Sequence, residues 1–595
     1  IFAAVIAVII TLVGAIAYWS LPVSQYPDIV PPTVTVTANY PGASAETVAE
    51  TVATPIEQEI NGVDNMLYQS SQSTGDGTVT ITVTFKIGTD LDAAQVLVQN
   101  RVAIAEPRLP EEARRRGITT KKNSPDLMMV IHLNSPDGSH DQLYISNYAT
   151  LQIKDVLARL DGVGDVRIFG ARDYSMRVWL DPEKIQARNL TATEVVTALQ
   201  AQNVQVAAGA LNAPPVPTTG AFQLNIETLG RLSDPRQFGN IVVKSEPNGA
   251  ITRIRDIGRV EIGAQDYSTN SYLDDRQAVA LLIFQRPGSN ALATADTVLK
   301  TMDELSKAFP TGLKHNIVYN PTEFIAESVH EVIKTIYEAV ILVVIVVILF
   351  LQSWRASLIP ILAIPVSLIG TFTVLAALGY SLNNLSLFGL VLAVGIVVDD
   401  AIVVVENVER NLRLGLHPRE ATKRTMDEVG GALIAIALVL CAVFIPAAFI
   451  TGISGQFFRQ FAVTIAAATV ISCFVSLTLS PALCAVLFKP HDHNPPRGNI
   501  LTRAVRGFFG GFNTVFDRLS GGYGGLTRRL VRLSVLMLVV YAGLIALTGW
   551  QFHRAPTGFI PQQDQGYLIT VLQLPPGSSL ERTDAIVQQA RDAGF

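Results

Sequence analysis

Two adjacent aspartates, Asp399 and Asp400, sit inside the apolar run GIVVDDAIVVVEN at residues 395–407. An ionised carboxylate near a bilayer centre costs about 2.5–3.5 kcal/mol on insertion scales. Three chemistries could retain such a pair. The first is a structural ion pair, but no Lys or Arg falls within the core of any apolar stretch of this chain, so the cation would come from elsewhere. The second is intramembrane aspartyl proteolysis, which needs two carboxyls converging on one water, normally from different helices. Neighbours on one helix point about 100° apart and are poorly placed for that. The third is proton relay. Two neighbouring carboxyls in a poorly solvated place titrate as a coupled pair with at least one proton affinity raised. Each charge carried through the membrane potential then supplies about 2.3 kcal/mol per 100 mV. Proton relay is the preferred reading. Gly395, one turn before Asp399, is expected to let a neighbouring helix approach the same side.

The elements that must hold this pair are long apolar segments. The 595 residues are 49% hydrophobic and 16% charged, with a mean hydropathy of +0.34. That balance implies a chain partly in bilayer and partly in water. A net charge of −5 without a basic cluster speaks against a nucleic-acid partner. Spanning candidates are 1–21, 332–352, 357–379, 384–407, 430–450, 461–488 and 533–550, each near the length of about 20 residues that a hydrocarbon core requires. The first is read as a retained helix rather than a signal peptide. Glu338 and Glu406 lie towards span ends and are expected to be solvated or interfacial. Arg355, the group from Arg410 to Arg424, and the group from Lys489 to Arg532 fall in alternate loops, whereas the opposite short loops carry only Arg459. The basic loops are therefore predicted to be cytoplasmic and residues 22–330 to lie on the other side. Cys441, Cys473 and Cys484 all fall within spans, which leaves the large outer region without a disulfide framework.

Strand and helix patterns alternate through residues 32–320. PTVTVTANY (32–40) reads as a half-buried strand and 44–60 as a helix capped by Ser44. Residues 64–73 and 77–87 read as a hairpin over GDG at 75–77. Residues 91–105 return to helix, followed by strand LMMVIHLN (127–134), helix 141–160 and a strand pair, DVRIFG and SMRVWL. This recurrence predicts small α+β sandwich units. Residues 210–223 have the Pro and Gly content of an extended loop or arm. An internal repeat relates 21–48 to 555–583. Pro22 and Pro27 match Pro556 and Pro561, and after a one-residue gap Pro41, Gly42 and Glu46 match Pro576, Gly577 and Glu581. Both copies are expected to leave a helix, run through a strand, turn at Pro-Gly and enter a helix. The chain reads as one half of a duplicated protein, cut after the second half begins.

The run LAVGIVVDDAIVVVENVERNL (392–412), the LPVSQYP segment after the first span and GTFTVLAALGYSLNNLSLFGLVLAVG (370–395) together resemble the RND multidrug efflux pumps of the hydrophobe/amphiphile branch, the AcrB, MexB and MexF type. The resemblance implies seven spans in this chain, with a large periplasmic α+β porter and docking region. It places porter subdomains at 22–126 and 127–173, a docking subdomain at 174–265 whose arm (210–223) reaches the adjacent protomer, and the rest of the second porter subdomain at 266–325. The span block follows at 326–488, then a cytoplasmic amphipathic connector at 489–530, the seventh span at 531–550 and the start of a second porter repeat at 551–595. It further implies a homotrimer in a Gram-negative inner membrane that exchanges protons for amphiphilic small molecules, working with a periplasmic adaptor and an outer-membrane channel, without cofactor, resident metal or enzymatic activity. Asp399 and Asp400 match the family's proton carriers, whose lysine partner would lie beyond Phe595.

The family's drug pocket maps onto Phe169, Arg167, Val130 and Tyr319, and onto Thr269 and Ser271. Leu127 stands where well-studied members carry phenylalanine. Three other readings stay open. A heavy-metal exporter would favour methionine ligands, but Met128 and Met129, adjacent on a strand, should face opposite ways. A lipid or hopanoid exporter is not separated by residues alone. A sterol-sensing receptor would share the span block without needing the titratable pair.

Overall fold

The computed structural model describes residues 1–27, 30–124, 126–215, 222–247, 249–489, 500–556, 564–575 and 577–594. Seven helices among the described residues are long and apolar enough to cross a membrane. They are α1 (Phe2–Ser20), α2 (Pro321–Leu351), α3 (Trp354–Ala377), α4 (Asn384–Arg413), α5 (Pro418–Ala448), α6 (Gly452–Leu487) and α7 (Ser534–Arg554). The number agrees with the hydropathy reading, but several helices outrun their apolar windows. Helix α2 begins at Pro321 rather than 332, and α5 at Pro418 rather than 430. The added turns are rich in Glu, Lys and Arg, which are good helix formers, and helical hydrogen bonding does not stop where the apolar run does. Both start with Pro in the first turn, where its missing N–H costs nothing.

Helix α4 is the centre of the bundle and packs on α2, α3, α5 and α6. Its buried residues Leu390, Ala393, Val397, Ala401, Val404 and Val408 recur at three- and four-residue spacing, the signature of one helical face. Asn383 caps it by accepting from the backbone N–H groups of Leu385 and Ser386, both at 3.1 Å. By contrast α7 buries no residue against the described part of the chain. Where the bundle meets the outer region, Val23 bridges to Leu382, with Leu382 N–H donating to Pro22 C=O at 2.8 Å.

The outer region contains two sandwich units. In the first, β1 (Thr33–Asn39), β2 (Met66–Ser73), β3 (Thr78–Phe85) and β4 (Thr119–Asn123) form an antiparallel sheet in the order β2-β3-β1-β4. The predicted hairpin is its β2–β3 pair. Val34, Val36 and Ala38 alternate into a core closed by the continuous helical stretch 45–60, which Ser44 caps, and by Leu91–Ala105. In the second, β5 (Leu127–Asn134), β6 (Val163–Phe169), β9 (Arg276–Gln285) and β10 (Lys314–Tyr319) pair antiparallel in the order β10-β5-β9-β6. Between β6 and β9 the chain makes a separate two-stranded sheet of β7 (Tyr174–Leu180) and β8 (Gly258–Ala264). The expected pairing of DVRIFG with SMRVWL is therefore wrong. The two neighbours in sequence join different sheets, because each pairs over its length with a strand further along the chain.

The second copy of the internal repeat also departs from expectation. A helix precedes it and Leu580–Gly594 follows it, but residues 564–575 form no strand. A strand is held by ladder partners, and among the described residues none pairs with this segment. Pro561 and Pro576 of the repeat, residues 216–221 of the expected arm and 490–499 of the connector lie outside the described residues.

Candidate functional site

The aspartate pair lies near the middle of α4. Asp400 is 5% exposed, and the Ser472 hydroxyl of α6 stands 3.2 Å from its Oδ2 and 2.9 Å from the Val397 carbonyl oxygen. Asp399 instead belongs to an exposed stripe with Phe388, Leu392, Gly395 and Glu406, on the side of α4 that no described helix of this chain covers. The 100° step between neighbours thus separates one buried carboxyl from one open carboxyl. The expected close approach at Gly395 is not found, since a Cβ there would meet none of the described residues within 4 Å. The tight contact is at Gly389, one and a half turns earlier, where a Cβ would lie 3.2 Å from the Phe461 carbonyl oxygen and from Thr464. Among the described residues, ion pairs on α4 are confined to its basic end, Arg413 with Glu409 at 3.1 Å and Arg410 with Glu428 at 2.7 Å. Glu338 and Glu406 are exposed.

The remaining candidates cluster on the second outer sheet. Its core face holds Ile131, Leu133, Val166, Ile168, Leu281 and Ile283. On the opposite face one cross-strand row runs Tyr319, Val130, Leu282, Arg167, and another runs His132, Ala280, Phe169. Two irregularities in register are needed for this. One, between Ile317 and Tyr319, brings Tyr319 opposite Val130. The other, between Ile283 and Phe284, brings Leu127 opposite Phe284. A bulge re-aims side chains in this way. Met128, skipped by the same bulge, is buried in one aliphatic core cluster with Met129, and Met128 also lines a cavity that Leu127 and Tyr319 reach.

Arg167 is held firmly. Its Nε donates to Asp165 Oδ2 at 2.8 Å, its fork reaches the Asn123 side chain, and its guanidinium lies 4.5 Å from the Phe284 ring centroid. Phe169 is half exposed. Ser271 packs against Gly170, where a Cβ would come within 2.7 Å of the Ser271 Cβ. Thr269 sits on an exposed loop, its hydroxyl 3.5 Å from that of Ser268, and is not brought onto the sheet.

Leu127 and Tyr319 also line a cavity of about 460 Å³ where the outer region meets the bundle, with Gln25, Tyr26, Ser381 and Tyr567 among its walls. The Tyr319 and Tyr567 rings meet edge to face at 5.0 Å, with their hydroxyl oxygens 3.4 Å apart. Tyr567 and Phe284 were not singled out by sequence reasoning. The internal repeat pointed to the segment that carries Tyr567, and nothing in the sequence marked Phe284. Burial, reinforced by the Tyr567 hydroxyl, pushes the Tyr319 phenol up to about 12. Because the folded value lies above the ordinary 10, the neutral phenol contributes stability below pH 10 that is lost as pH rises towards 12. Tyr319 should titrate near the top of that window by ultraviolet difference spectroscopy, and Tyr567→Phe should lower its midpoint. An unchanged midpoint would separate the two rings.

Residues 1–593 match the AcrB/AcrD/AcrF family. Over its whole length the chain is 44% identical to the multidrug export protein AcrF of Escherichia coli and covers 57% of that protein. It is 45% identical to the toluene efflux pump membrane transporter TtgB of Pseudomonas putida, covering 56% of it, and 43% identical to the multidrug resistance protein MdtF of Escherichia coli, also covering 56%. The chain spans a little over half the length of these relatives. With its seven spans, its outer sandwiches and this match, it is a membrane protein that belongs to the AcrB/AcrD/AcrF family.

Proposed function

We propose that the full-length protein is a proton-driven exporter of amphiphilic small molecules, with Asp399 and Asp400 as its proton carriers. The observation that carries this reading is Asp400, buried in the middle of the central helix with a serine hydroxyl rather than a cation beside it among the described residues. A permanently charged carboxylate would be costly in that position, whereas one that takes up and loses a proton is not permanently charged. The relatives' names, a multidrug exporter and a toluene efflux pump, supply the substrate class.

Phe169, Val130, Tyr319 and Leu127 form the substrate-facing surface in this reading, with Arg167 as its fixed polar wall and Ser271 at its edge. Thr269 is kept only as a loop contact. The outer region is divided into the porter and docking subdomains set out above. The protein works as a homotrimer in the inner membrane of a Gram-negative cell, with the basic loops in the cytoplasm, a periplasmic adaptor and an outer-membrane channel.

The test is accumulation of a fluorescent amphiphile in a strain lacking its own pumps. Cells making the full-length protein should hold several-fold less dye than cells without it, and an uncoupler should erase the difference. Lowered dye that persists after the proton gradient is collapsed would refute proton drive. Phe169→Ala should raise dye accumulation without changing the amount of protein in the membrane.

A further inference from the structure

Helix α6 carries a line of buried polar residues: Gln460, Thr464, Thr469, Ser472, Ser476 and Ser480, none more than 9% exposed. On the side of Asp400 away from the basic loops these groups are satisfied within the protein. Thr464 donates to the Gln460 carbonyl at 2.6 Å and Thr469 to that of Ile465 at 2.8 Å. On the facing helix α3, Ser367 and Thr371 donate to the carbonyls of Ala363 and Ser367 at 3.1 and 2.8 Å.

Towards the basic loops the pattern breaks. The hydroxyls of Ser476 and Ser480 on α6, and of Ser357 one turn inside α3 at the same end, are buried without a hydrogen-bond partner among the described residues. A buried hydroxyl left unpaired is unfavourable, and such groups commonly mark the place of an internal water. Acceptors are released in the same turns. Pro481 has no N–H to offer the Leu477 carbonyl, and Pro360 has none for that of Ala356.

We propose that a single file of water molecules runs from Asp400 past Ser472, Ser476 and Ser480 towards the basic-loop end of the bundle, and that it carries the proton on that side. The inference rests on the proton-carrier reading of Asp400 and adds the route. Hydroxyls four residues apart on one side of a helix are separated by about 6 Å along its axis. One water bridging two hydroxyls, at about 2.8 Å from each, spans nearly the same length. One water therefore matches each gap in length, and the unpaired Ser357 hydroxyl lies at the same end of the bundle. In each hop an O–H bond forms on one oxygen as the next O–H bond breaks, so a single proton moves and every hydroxyl and water ends neutral. On the other side of Asp400 the hydroxyls of Ser367, Thr371, Thr464 and Thr469 are tied to helix carbonyls, and Thr373 on α3, left unpaired there among the described residues, has no hydroxyl four residues on to continue a file.

The test uses full-length protein in liposomes with an imposed pH gradient and an internal pH dye, comparing wild type, Asp400→Asn, Ser476→Ala/Ser480→Ala and Ser476→Thr/Ser480→Thr. Losing the bridged steps should slow proton flux on the order of tenfold in the alanine pair, with Thr retaining most of it. Binding of a fluorescent amphiphile should be unchanged in both pairs. Wild-type flux in the alanine pair overturns the file while leaving the Asp400 reading intact, and undiminished flux in Asp400→Asn overturns that reading itself. Radiolytic hydroxyl labelling of the wild type is an independent check that needs no variant. Cys484, fully buried one turn beyond Ser480, should be oxidised by water held beside it, and an unlabelled Cys484 would mean a dry helix interface.

Discussion

Asp400→Asn in the full-length protein should abolish the proposed export while leaving the protein's assembly and thermal stability intact. Asparagine has nearly the shape of aspartate, and its amide oxygen can keep the Ser472 hydroxyl as a partner at the 3.2 Å contact. It has no charge to bury, so the bundle loses nothing by the change and can gain stability, because desolvating an ionised group is the larger cost. What it cannot do is bind and release a proton. Each proton moved through 100 mV delivers about 2.3 kcal/mol, and if every proton must pass the Asp400 site, as proposed, that input falls to zero rather than being reduced even with Asp399 in place. The expected result is dye accumulation at the level of pump-free cells, beside an unchanged or raised melting temperature of purified protein. Wild-type efflux by this variant would make the carboxylate structural and remove the main support for proton drive. Asp399→Asn is a separate experiment, since Asp399 lies on the uncovered stripe of α4 and reports on whatever covers that stripe.

Much of this arrangement was legible in the sequence, and what was missed shares a physical cause. Periodicity and hydropathy are local, so spans, the β2–β3 hairpin and the Ser44 helix start could be read from short windows. The pair at 399–400 was visible because charge inside an apolar run is conspicuous. Which of the two aspartates is buried was not visible, because that depends on where α6 lies. The same limit explains Gly395: a glycine permits close approach, but only the neighbouring helix decides whether one occurs. Strand partners were misassigned where the chain inserts the β7–β8 sheet between β6 and β9, because sequence adjacency favours a hairpin and says nothing of a partner far along the chain. The bulges that re-aim Leu127 and Tyr319 and bury Met128 beside Met129 leave no mark in composition. Alternation predicts faces only while the register holds.

Gly14→Val should detach α1 from the bundle, a large structural effect for a single added side chain. A Cβ on Gly14 would stand 2.1 Å from the Ile369 carbonyl oxygen and 2.6 Å from its carbon, both backbone atoms of α3. Overpacking usually costs about 1–3 kcal/mol because side chains shift to make room. A helical carbonyl cannot shift without its own ladder, so α1 as a whole must move. The contact is reciprocal but unequal. A Cβ on Gly370 would meet the Ile10 Cγ2 at 2.6 Å, the tip of a flexible side chain, and Gly370→Ala should be the milder change. Gly395→Ala provides the control, since none of the described residues stands within 4 Å and replacing a mid-helix glycine there should raise helix stability by about 0.5–1 kcal/mol. Displacing α1 also reaches the outer region, because the helix runs directly into Pro22 and Val23, which are joined to Leu382. Gly14→Val should therefore lower the melting temperature of the purified full-length protein by several degrees and raise dye accumulation in cells, with Gly395→Ala showing neither effect. A Gly14→Val protein with the wild-type melting temperature would show that α1 packs on α3 with more room than these distances allow.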